Sequence, residues 1–262
     1  MKTIVITGST RGIGYGLADA FLMHGERVVI SGRKQETVDQ ALRQLAQKHG
    51  PERAAGFACD VTDYAQVQAL WDSAAARFGT IDIWINNAGQ SNILTPFWEL
   101  DPAQMRDVVQ TNILGMMYGS KVALRGMLQQ GFGSLYNMEG FGSRSGRKLP
   151  GLTLYGTTKA AAAFLDDSLA LELEGKPVII GGISPGLIVT DLLLNQRAGS
   201  DEDWERSKRV FNILADRIET VAPWLVEKIL ANEKNGAVLT WLTRTKVMLR
   251  FLTAPITRRK VI

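Results

Sequence analysis

Tyr155 and Lys159 stand four residues apart in the run Tyr155-Gly156-Thr157-Thr158-Lys159. If the run is helical, that spacing puts the phenol and the ammonium on one face. A neighbouring cation favours the phenolate, which draws a Tyr pKa down from about 10 toward the range where a proton can be traded with a carbonyl or alcohol oxygen. A second cluster opens the chain: Thr7-Gly8-Ser9-Thr10-Arg11-Gly12-Ile13-Gly14 follows directly on the apolar run Thr3-Ile4-Val5-Ile6. Glycines at a strand-to-helix turn let backbone N–H groups and the helix N-terminus approach a diphosphate. Asn86-Asn87-Ala88-Gly89 closes a later strand, and the two together read as a nucleotide site lined by Gly8, Ser9, Arg11, Gly12, Ile13, Gly14, Asn87, Ala88 and Gly89.

The type of nucleotide is read from the end of the second strand. An NAD site uses an acid there for the ribose hydroxyls, but this chain has Ser31-Gly32-Arg33. Arg33, with Arg11 from the glycine turn, can pair instead with a ribose 2′-phosphate, which favours NADPH over NADH. Asp60 and Val61, after the third strand, are expected beside the adenine.

These residues need a frame to hold them. Apolar strand-like runs at Thr3 to Thr7, Arg27 to Ser31, Ala54 to Ala58, Ile81 to Asn86, Gly133 to Met138, Val178 to Ser184 and Ala237 to Thr240 alternate with segments of helical periodicity. The helical segments run over about Gly12 to His24, Gln35 to His49, Tyr64 to Phe78, Pro102 to Gln129, Leu154 to Leu173 and Thr220 to Ala231. Alternation of this kind predicts an α/β fold: a doubly wound, seven-stranded parallel sheet with helices on both faces, of the single-domain Rossmann type, over residues 1–262.

Composition sets limits. The 262 residues, 45% hydrophobic, suffice for one sizeable core. The single Cys59 excludes an internal disulfide, and two histidines, His24 and His49, make a His-rich metal site improbable. No metal is expected. Met1-Lys2 leads straight into the first strand and no apolar stretch reaches the roughly 20 residues of a membrane span. The expectation is a soluble, cytoplasmic protein without a targeting leader. Net charge is a modest +4, with no call for nucleic acid.

Together the motifs resemble the short-chain dehydrogenase/reductase family, from about Lys2 to Ala231. The glycine turn matches Thr7 to Gly14 and the Asn-Asn-Ala-Gly run matches Asn86 to Gly89. Asn112 matches the Asn of the fourth helix, Tyr155 and Lys159 the active-site pair, and Pro185, Gly186, Ile188 and Thr190 the segment beside the nicotinamide. The resemblance implies that Tyr155 donates the proton, that Lys159 holds the ribose and tunes the Tyr, and that Asn112 supports a water relay.

The family's Ser after the fifth strand is missing: the text reads Asn137-Met138-Glu139-Gly140-Phe141-Gly142-Ser143. Counting from the strand puts Gly140 at that place; counting back from Tyr155 lands near Gly142 or Ser143. Ser143 is the best surviving hydroxyl, with Ser145 behind it. This departure, with Tyr-Gly-x-Thr-Lys and Thr190-Asp191-Leu192-Leu193, resembles the chlorophyll b reductase branch. That branch implies NADPH-dependent reduction of a formyl group to a hydroxymethyl group on a bulky hydrophobic substrate. Met138, Phe141, Leu192 and Leu193 are the candidate substrate contacts, with Phe97 and Trp98 nearby. Arg144, Arg147 and Lys148 are read mainly as a solvated loop, with a role in receiving a substrate carboxylate as the alternative.

Two segments fall outside the alternation. Residues 191–215 run Leu-rich, then acidic, then basic; they are a candidate lid, with Leu192, Leu193, Leu194, Trp204 and Phe211 as an apolar wall or as simple packing. The stretch Trp241 to Ile262 carries six Lys and Arg and no acid. It reads as a solvated basic tail or an inter-subunit contact, with peripheral membrane contact as a further possibility. The Ala160 to Leu165 face suits helix packing in a homodimer or homotetramer. Two rival functions stay open: a generic ketone or aldehyde reductase or alcohol dehydrogenase on small or lipid-like substrates, and an NADPH-sensing binding protein with little catalysis.

Overall fold

The strand runs Ile4-Val5-Ile6 and Val28-Val29-Ile30 are apolar at every position because both faces of each strand are covered, and all six residues are fully buried. The computed structural model describes residues 1–92, 94–144, 146, 148–194, 201–257 and 259–262, with backbone alone at 192, 201–203 and 206. In chain order the elements are β1 (Thr3–Ile6), α1 (Gly12–Met23), β2 (Arg27–Gly32), α2 (Gln35–His49), β3 (Ala54–Ala58), α3 (Tyr64–Phe78) and β4 (Ile83–Asn86). They continue with α4 (Pro102–Val109), α5 (Met116–Gln130), β5 (Gly133–Met138), α6 (Thr153–Glu172), β6 (Val178–Ser184), α7 (Asp191–Leu194), α8 (Asp201–Leu214), α9 (Ile218–Ala231), β7 (Ala237–Thr240) and α10 (Arg244–Thr257).

The seven strands form one parallel sheet in the order β3-β2-β1-β4-β5-β6-β7, the doubly wound arrangement expected. Ile6 pairs with Ile30 on one side and Ile85 on the other. The chain reverses its direction of winding at β1, so the carboxyl ends of β1 and β4 open a crevice between them, where ligands of such sheets bind.

One face is covered by α1, α2 and α9, whose Leu17, Phe21, Val38, Leu45, Leu225 and Ile229 pack on Ile4, Ile6 and Ile30. On the other face Val67, Leu70, Trp71, Val122 and Met127 from α3 and α5 pack on Val5, Val29 and Trp84. Each fully buried large aliphatic contributes about 1.5–3 kcal/mol. A third, smaller cluster of Leu100, Val108 and Leu154 fastens α4 to the first turn of α6, and so ties the Tyr155 helix to the body. Asp63 and Asp101 cap α3 and α4 through their carboxylates.

Three features depart from the pattern read in the sequence. The helix expected over Pro102 to Gln129 is broken by a π-helical turn, Gln110–Gly115, between α4 and α5. The candidate lid contains the helix α8, and the basic tail is the helix α10 rather than a solvated strand of charge. That tail folds back on its own chain. Arg250 donates to both carboxylate oxygens of Asp216 (3.0 and 2.8 Å), Arg259 to Asp216 Oδ1 (2.7 Å), and Trp241 Nε1 to Asp216 Oδ2 (2.7 Å). Among the described residues no helix is long and apolar enough to cross a membrane.

Candidate active site

The glycine turn is shaped to receive something. Gly8 (φ +61°) and Gly12 (φ +60°) adopt left-handed backbone that other residues rarely take. A β-carbon on Gly8 would lie 2.7 Å from Ala88 Cα, and one on Gly14 would lie 2.5 Å from Asn87 Nδ2. Asn87 locks the two loops together: its Nδ2 donates to Thr7 O and Gly8 O (both 2.9 Å), while Thr7 Oγ1 accepts from the backbone N–H of Asn87 and Ala88 (3.0 and 3.1 Å). The N-terminus of α1 has no side-chain cap and no acid in its first turn. Uncapped N–H groups and the positive end of the helix dipole face the crevice, which suits a diphosphate.

The surroundings of this turn are arranged accordingly. A β-carbon on Gly32 would approach Thr10 Cγ2 to 2.7 Å, so the end of β2 abuts the turn. Arg33 follows it, exposed and without an ion pair among the described residues. Arg11 is exposed and pairs at 3.4 Å with Asp191, itself exposed. Thr190 lies 3.7 Å from the position a Gly12 β-carbon would take, and Pro185-Gly186 and Ile188 lead up to it. Asp60 accepts from the backbone and hydroxyl of Thr62 (2.9 and 2.8 Å), and Val61 is buried against Gly115.

Tyr155 and Lys159 share a face of α6, one turn apart, as the spacing predicts. Lys159 Nζ lies 5.8 Å from the Tyr155 ring centroid and donates to Met138 O at 2.8 Å. It also lies 3.9 Å from the place of a Gly89 β-carbon, with Asn112 Oδ1 at 3.5 Å from the same point. Asn112 is buried in the π-helical turn, which displaces its side chain toward α6: Nδ2 donates to Thr158 Oγ1 (3.0 Å) and Gln90 O (2.8 Å), and Oδ1 accepts from Gln90 N (2.8 Å). Thr158 passes the contact on to Tyr155 O (2.8 Å).

Burial dominates the electrostatics of the pair. It pushes the Tyr155 phenol up to about 12 and pulls Lys159 down to about 8, the carboxylates of Glu139 and Asp166 drawing the lysine partly back. Burial of the phenol therefore runs against the acidification expected from the Tyr–Lys spacing.

A diphosphate cradle, a Tyr–Lys pair and a buried Asn now converge at the carboxyl end of the sheet. The sequence matches the family model of short chain dehydrogenases over residues 2–201. The chain belongs to the short-chain dehydrogenase family. It is an NAD(P)-dependent oxidoreductase of that type.

Among its relatives, this dehydrogenase is 39% identical over 240 residues to chlorophyll(ide) b reductase NOL of Arabidopsis thaliana, covering 90% of this chain and 67% of that protein. It is 33% identical over 269 residues to the probable chlorophyll(ide) b reductase NYC1 of the same plant, covering 97% of this chain and 53% of that one. The chain thus spans about half the length of NYC1. Both relatives are named as chloroplastic. Among solved structures, ElxO with NADP bound superimposes with a TM-score of 0.78 at 29% identity, over 91% of this chain and 96% of that one.

Within the dehydrogenase, several candidate residues make contacts that the sequence did not suggest. Ser9 spends its hydroxyl on Ile6 O (2.6 Å) and on the N–H of Ser31 (2.9 Å), and its own N–H on Ser31 O (2.8 Å). It stitches β1 to β2 and is fully buried. Met138 offers its carbonyl to Lys159 while its side chain sits in the core. Gly140, not Ser143, faces Tyr155: a β-carbon there would lie 2.5 Å from the phenol oxygen. Ser143 Oγ instead accepts from Gly140 N at 3.0 Å. Phe141 is half-buried and Leu193 buried, whereas Phe97 and Trp98 are exposed. Ser145, Arg147 and the side chain of Leu192 lie outside the described residues.

Arg144 is no solvated loop residue. Its Nε donates to Glu139 Oε1 (2.6 Å) and its Nη1 to both carboxylate oxygens of Asp167 (3.0 and 3.1 Å). Glu139 and Asp166, both buried beside Lys159, were missed from the sequence. An acid embedded in the apolar run that ends β5 was the available signal, because a buried carboxylate requires a partner.

Proposed function

We propose that this protein is an NADPH-dependent carbonyl reductase whose substrate carries an aldehyde on a bulky hydrophobic framework, in the manner of a chlorophyll b 7-formyl group reduced to 7-hydroxymethyl. The observation that carries the reading is the Tyr155–Lys159 pair on one face of α6, with glycine at position 140, where the family has a side chain, against the phenol. Gly8, Gly12, Ile13 and Gly14 would hold the diphosphate, and Asn87, Ala88, Gly89, Pro185, Gly186, Ile188 and Thr190 would line the rest of the cofactor's path. Arg33, exposed just after β2, and Arg11 supply the cations for a 2′-phosphate. When bound, the cofactor supplies the hydride that reaches the carbonyl carbon.

The chain's own residues handle the proton. With its pKa near 12, Tyr155 stays protonated across neutral pH and is a donor, the role that reduction requires. The alkoxide left by hydride addition is a far stronger base than a phenolate, so transfer from Tyr155 Oη is downhill. Lys159, as an ammonium, stabilises the phenolate that remains, and Asn112 fixes the helix turn behind it through Thr158. Ser143 holds the turn by accepting from Gly140 N, which leaves its hydroxyl proton for the substrate oxygen.

The relatives of chlorophyll(ide) b reductase type support the substrate class. Met117, Lys121, Leu124, Leu128, Leu165 and Leu169 border an apolar groove of about 280 Å³ between α5 and α6, which suits assembly of a homodimer or homotetramer. The deciding experiment is NADPH oxidation against a panel of formyl pigments and small aldehydes, with Tyr155→Phe beside the wild type. Turnover on the bulky aldehyde, lost in the variant while NADPH still binds, is the expected outcome. Turnover that survives Tyr155→Phe rejects the assignment, and activity confined to small carbonyls rejects the substrate class.

A further inference from the structure

Behind Lys159 lies a set of buried charges that the proton donor itself does not use. Glu139 follows β5 directly and is anchored by its N–H to Ile183 O at 2.8 Å. The residue is 3% exposed, and its side chain lies over Gly182 of β6, where a β-carbon would come within 2.4 Å of Oε1. A side chain at 182 would evict it. Asp166, two turns beyond Lys159 on the same buried face of α6, brings Oδ2 to 3.3 Å from that same point. Its other oxygen accepts from Asn137 Nδ2 at 2.5 Å, and Asn137 connects to Asn86 at 2.8 Å. Arg144 closes the group, bridging Glu139 to Asp167 on the outer side of α6.

Charge accounting separates the two carboxyl groups. Among the described residues Asp166 Oδ2 is buried without a hydrogen-bond partner, and burial pushes its pKa up to about 8. Burial raises Glu139 too, but Arg144 opposes the shift by hydrogen bond and charge. Glu139, Arg144, Asp167 and Lys159 thus set two acids against two bases around the Tyr155 helix. A lone Lys159 ammonium at this depth would lose its proton.

We propose that Glu139 is a positioning residue for the reduction: it holds the 139–144 turn, and with it Gly140, against Tyr155 through Arg144, and it is the buried counter-charge that keeps Lys159 an ammonium. The proposal rests on the reading of Tyr155 and Lys159 as the proton-handling pair. It explains why an acid and a glycine, Glu139-Gly140, stand together after β5. The acid fastens the turn by an ion pair, and the glycine leaves the phenol clear.

The test is direct titration of Lys159 in the cofactor-free protein by NMR of ε-carbon-labelled lysine, assigned with Lys159→Arg, in wild type, Glu139→Gln and Asp166→Asn. The expected result is a Lys159 pKa near 8 in the wild type, lower by about one unit in Glu139→Gln and by a smaller step in Asp166→Asn. If Glu139→Gln does not fold, Asp167→Asn, at an exposed side chain, should move it the same way by a smaller step. An unmoved Lys159 in whichever of these variants folds overturns the proposal, and so does an equal shift in Asp166→Asn. The alkaline limb of the kcat/KM profile for NADPH-dependent reduction should follow the titration. A wild type that titrates as described yet reduces no carbonyl would sink the reductase reading and leave the counter-charge standing. A limb that stays put while the wild type turns over would remove Glu139 from the reaction.

Discussion

The phenol oxygen of Tyr155 faces Gly140 so closely that a β-carbon on that glycine would lie 2.5 Å from it. Real β-carbons do not approach an oxygen to that distance, so any side chain at 140 must displace the phenol. Gly140→Ala is therefore expected to lower kcat about 100-fold, the order of loss for a reacting group misplaced by about an ångström. The displaced atom is the tip of a side chain, so the melting temperature and the affinity for NADPH should change little. Steady-state kinetics beside a thermal melt check this. A variant with wild-type kcat would mean that the phenol can work from another position.

Arg33 offers a separate test of cofactor choice. It is exposed, so its replacement should leave the fold alone. A charge-assisted hydrogen bond to phosphate is worth about 1.5–3 kcal/mol, so Arg33→Ala should raise the NADPH dissociation constant about 10- to 100-fold while NADH binding stays within about two-fold. Fluorescence titration with both nucleotides reads the difference. Equal losses for both would place Arg33 away from the 2′-phosphate.

The glycine turn, the Asn-Asn-Ala-Gly run, the Tyr–Lys spacing and all seven strands were legible because each depends on local backbone requirements or on a period of apolar residues. The π-helical turn at Gln110–Gly115 was not, since nothing in the apolar pattern marks a single widened turn. Helix α8 was hidden by its mixed composition, although Trp204 and Phe211, whose rings meet at 6.1 Å, stand seven residues apart on one face. The roles of Glu139 and Arg144 depend on Asp167 and Gly182, which the fold brings to them from α6 and β6. Charges that look solvated in a sequence become an ion pair only when such partners arrive. Ser143 illustrates the converse: the spacing offered a hydroxyl, and the turn also uses its oxygen as an acceptor for Gly140 N.

Two buried groups give stability opposite slopes with pH. Asp166, raised to about 8, keeps a proton in the folded state that the unfolded chain releases near pH 4. Stability therefore falls as pH rises through the window from about 4 to 8. Lys159, lowered to about 8, gives the reverse: the unfolded chain holds a proton that the folded protein lacks between about 8 and 10.5, so stability rises there. Asp166→Asn keeps an acceptor for Asn137 and removes the first slope. Urea unfolding should then find the variant more stable than wild type at pH 8, with the advantage vanishing toward pH 4. Parallel curves for the two proteins would show that Asp166 is ionised in the fold.

Cys59 is buried, and desolvation with the nearby charges of Asp60 and Asp63 raises its thiol to about 12. Thiolate is the reactive form. Native protein should resist iodoacetamide at pH 8 and become labelled only on unfolding, so the labelling rate in mild denaturant reports opening around β3. Rapid labelling without denaturant would mean that this edge of the sheet opens freely.

Asp216 joins parts of the chain that are far apart in sequence. Its backbone pairs with the segment before Thr190, accepting from Val189 N (3.0 Å) and donating to Leu187 O (2.9 Å). Its side chain receives Arg250, Arg259 and Trp241. Burial alone would raise its pKa, but the hydrogen bonds from Trp241 and Arg250 and the charges of Arg250 and Arg259 outweigh that and hold it below the usual Asp range. The stabilisation is thus present above about pH 4, the unfolded value, and is lost as pH falls through the lowered folded one. Asp216→Ala strands two guanidinium groups in a part-buried site and should cost about 3–5 kcal/mol. Because the backbone of Asp216 holds the 187–189 segment, a shift of that residue on losing its side-chain partners should loosen α10 together with the chain leading to Thr190. Hydrogen exchange should then show lost protection in α10 and at Val189 together. Loss confined to α10 would mean that the tail is held independently of the cofactor end.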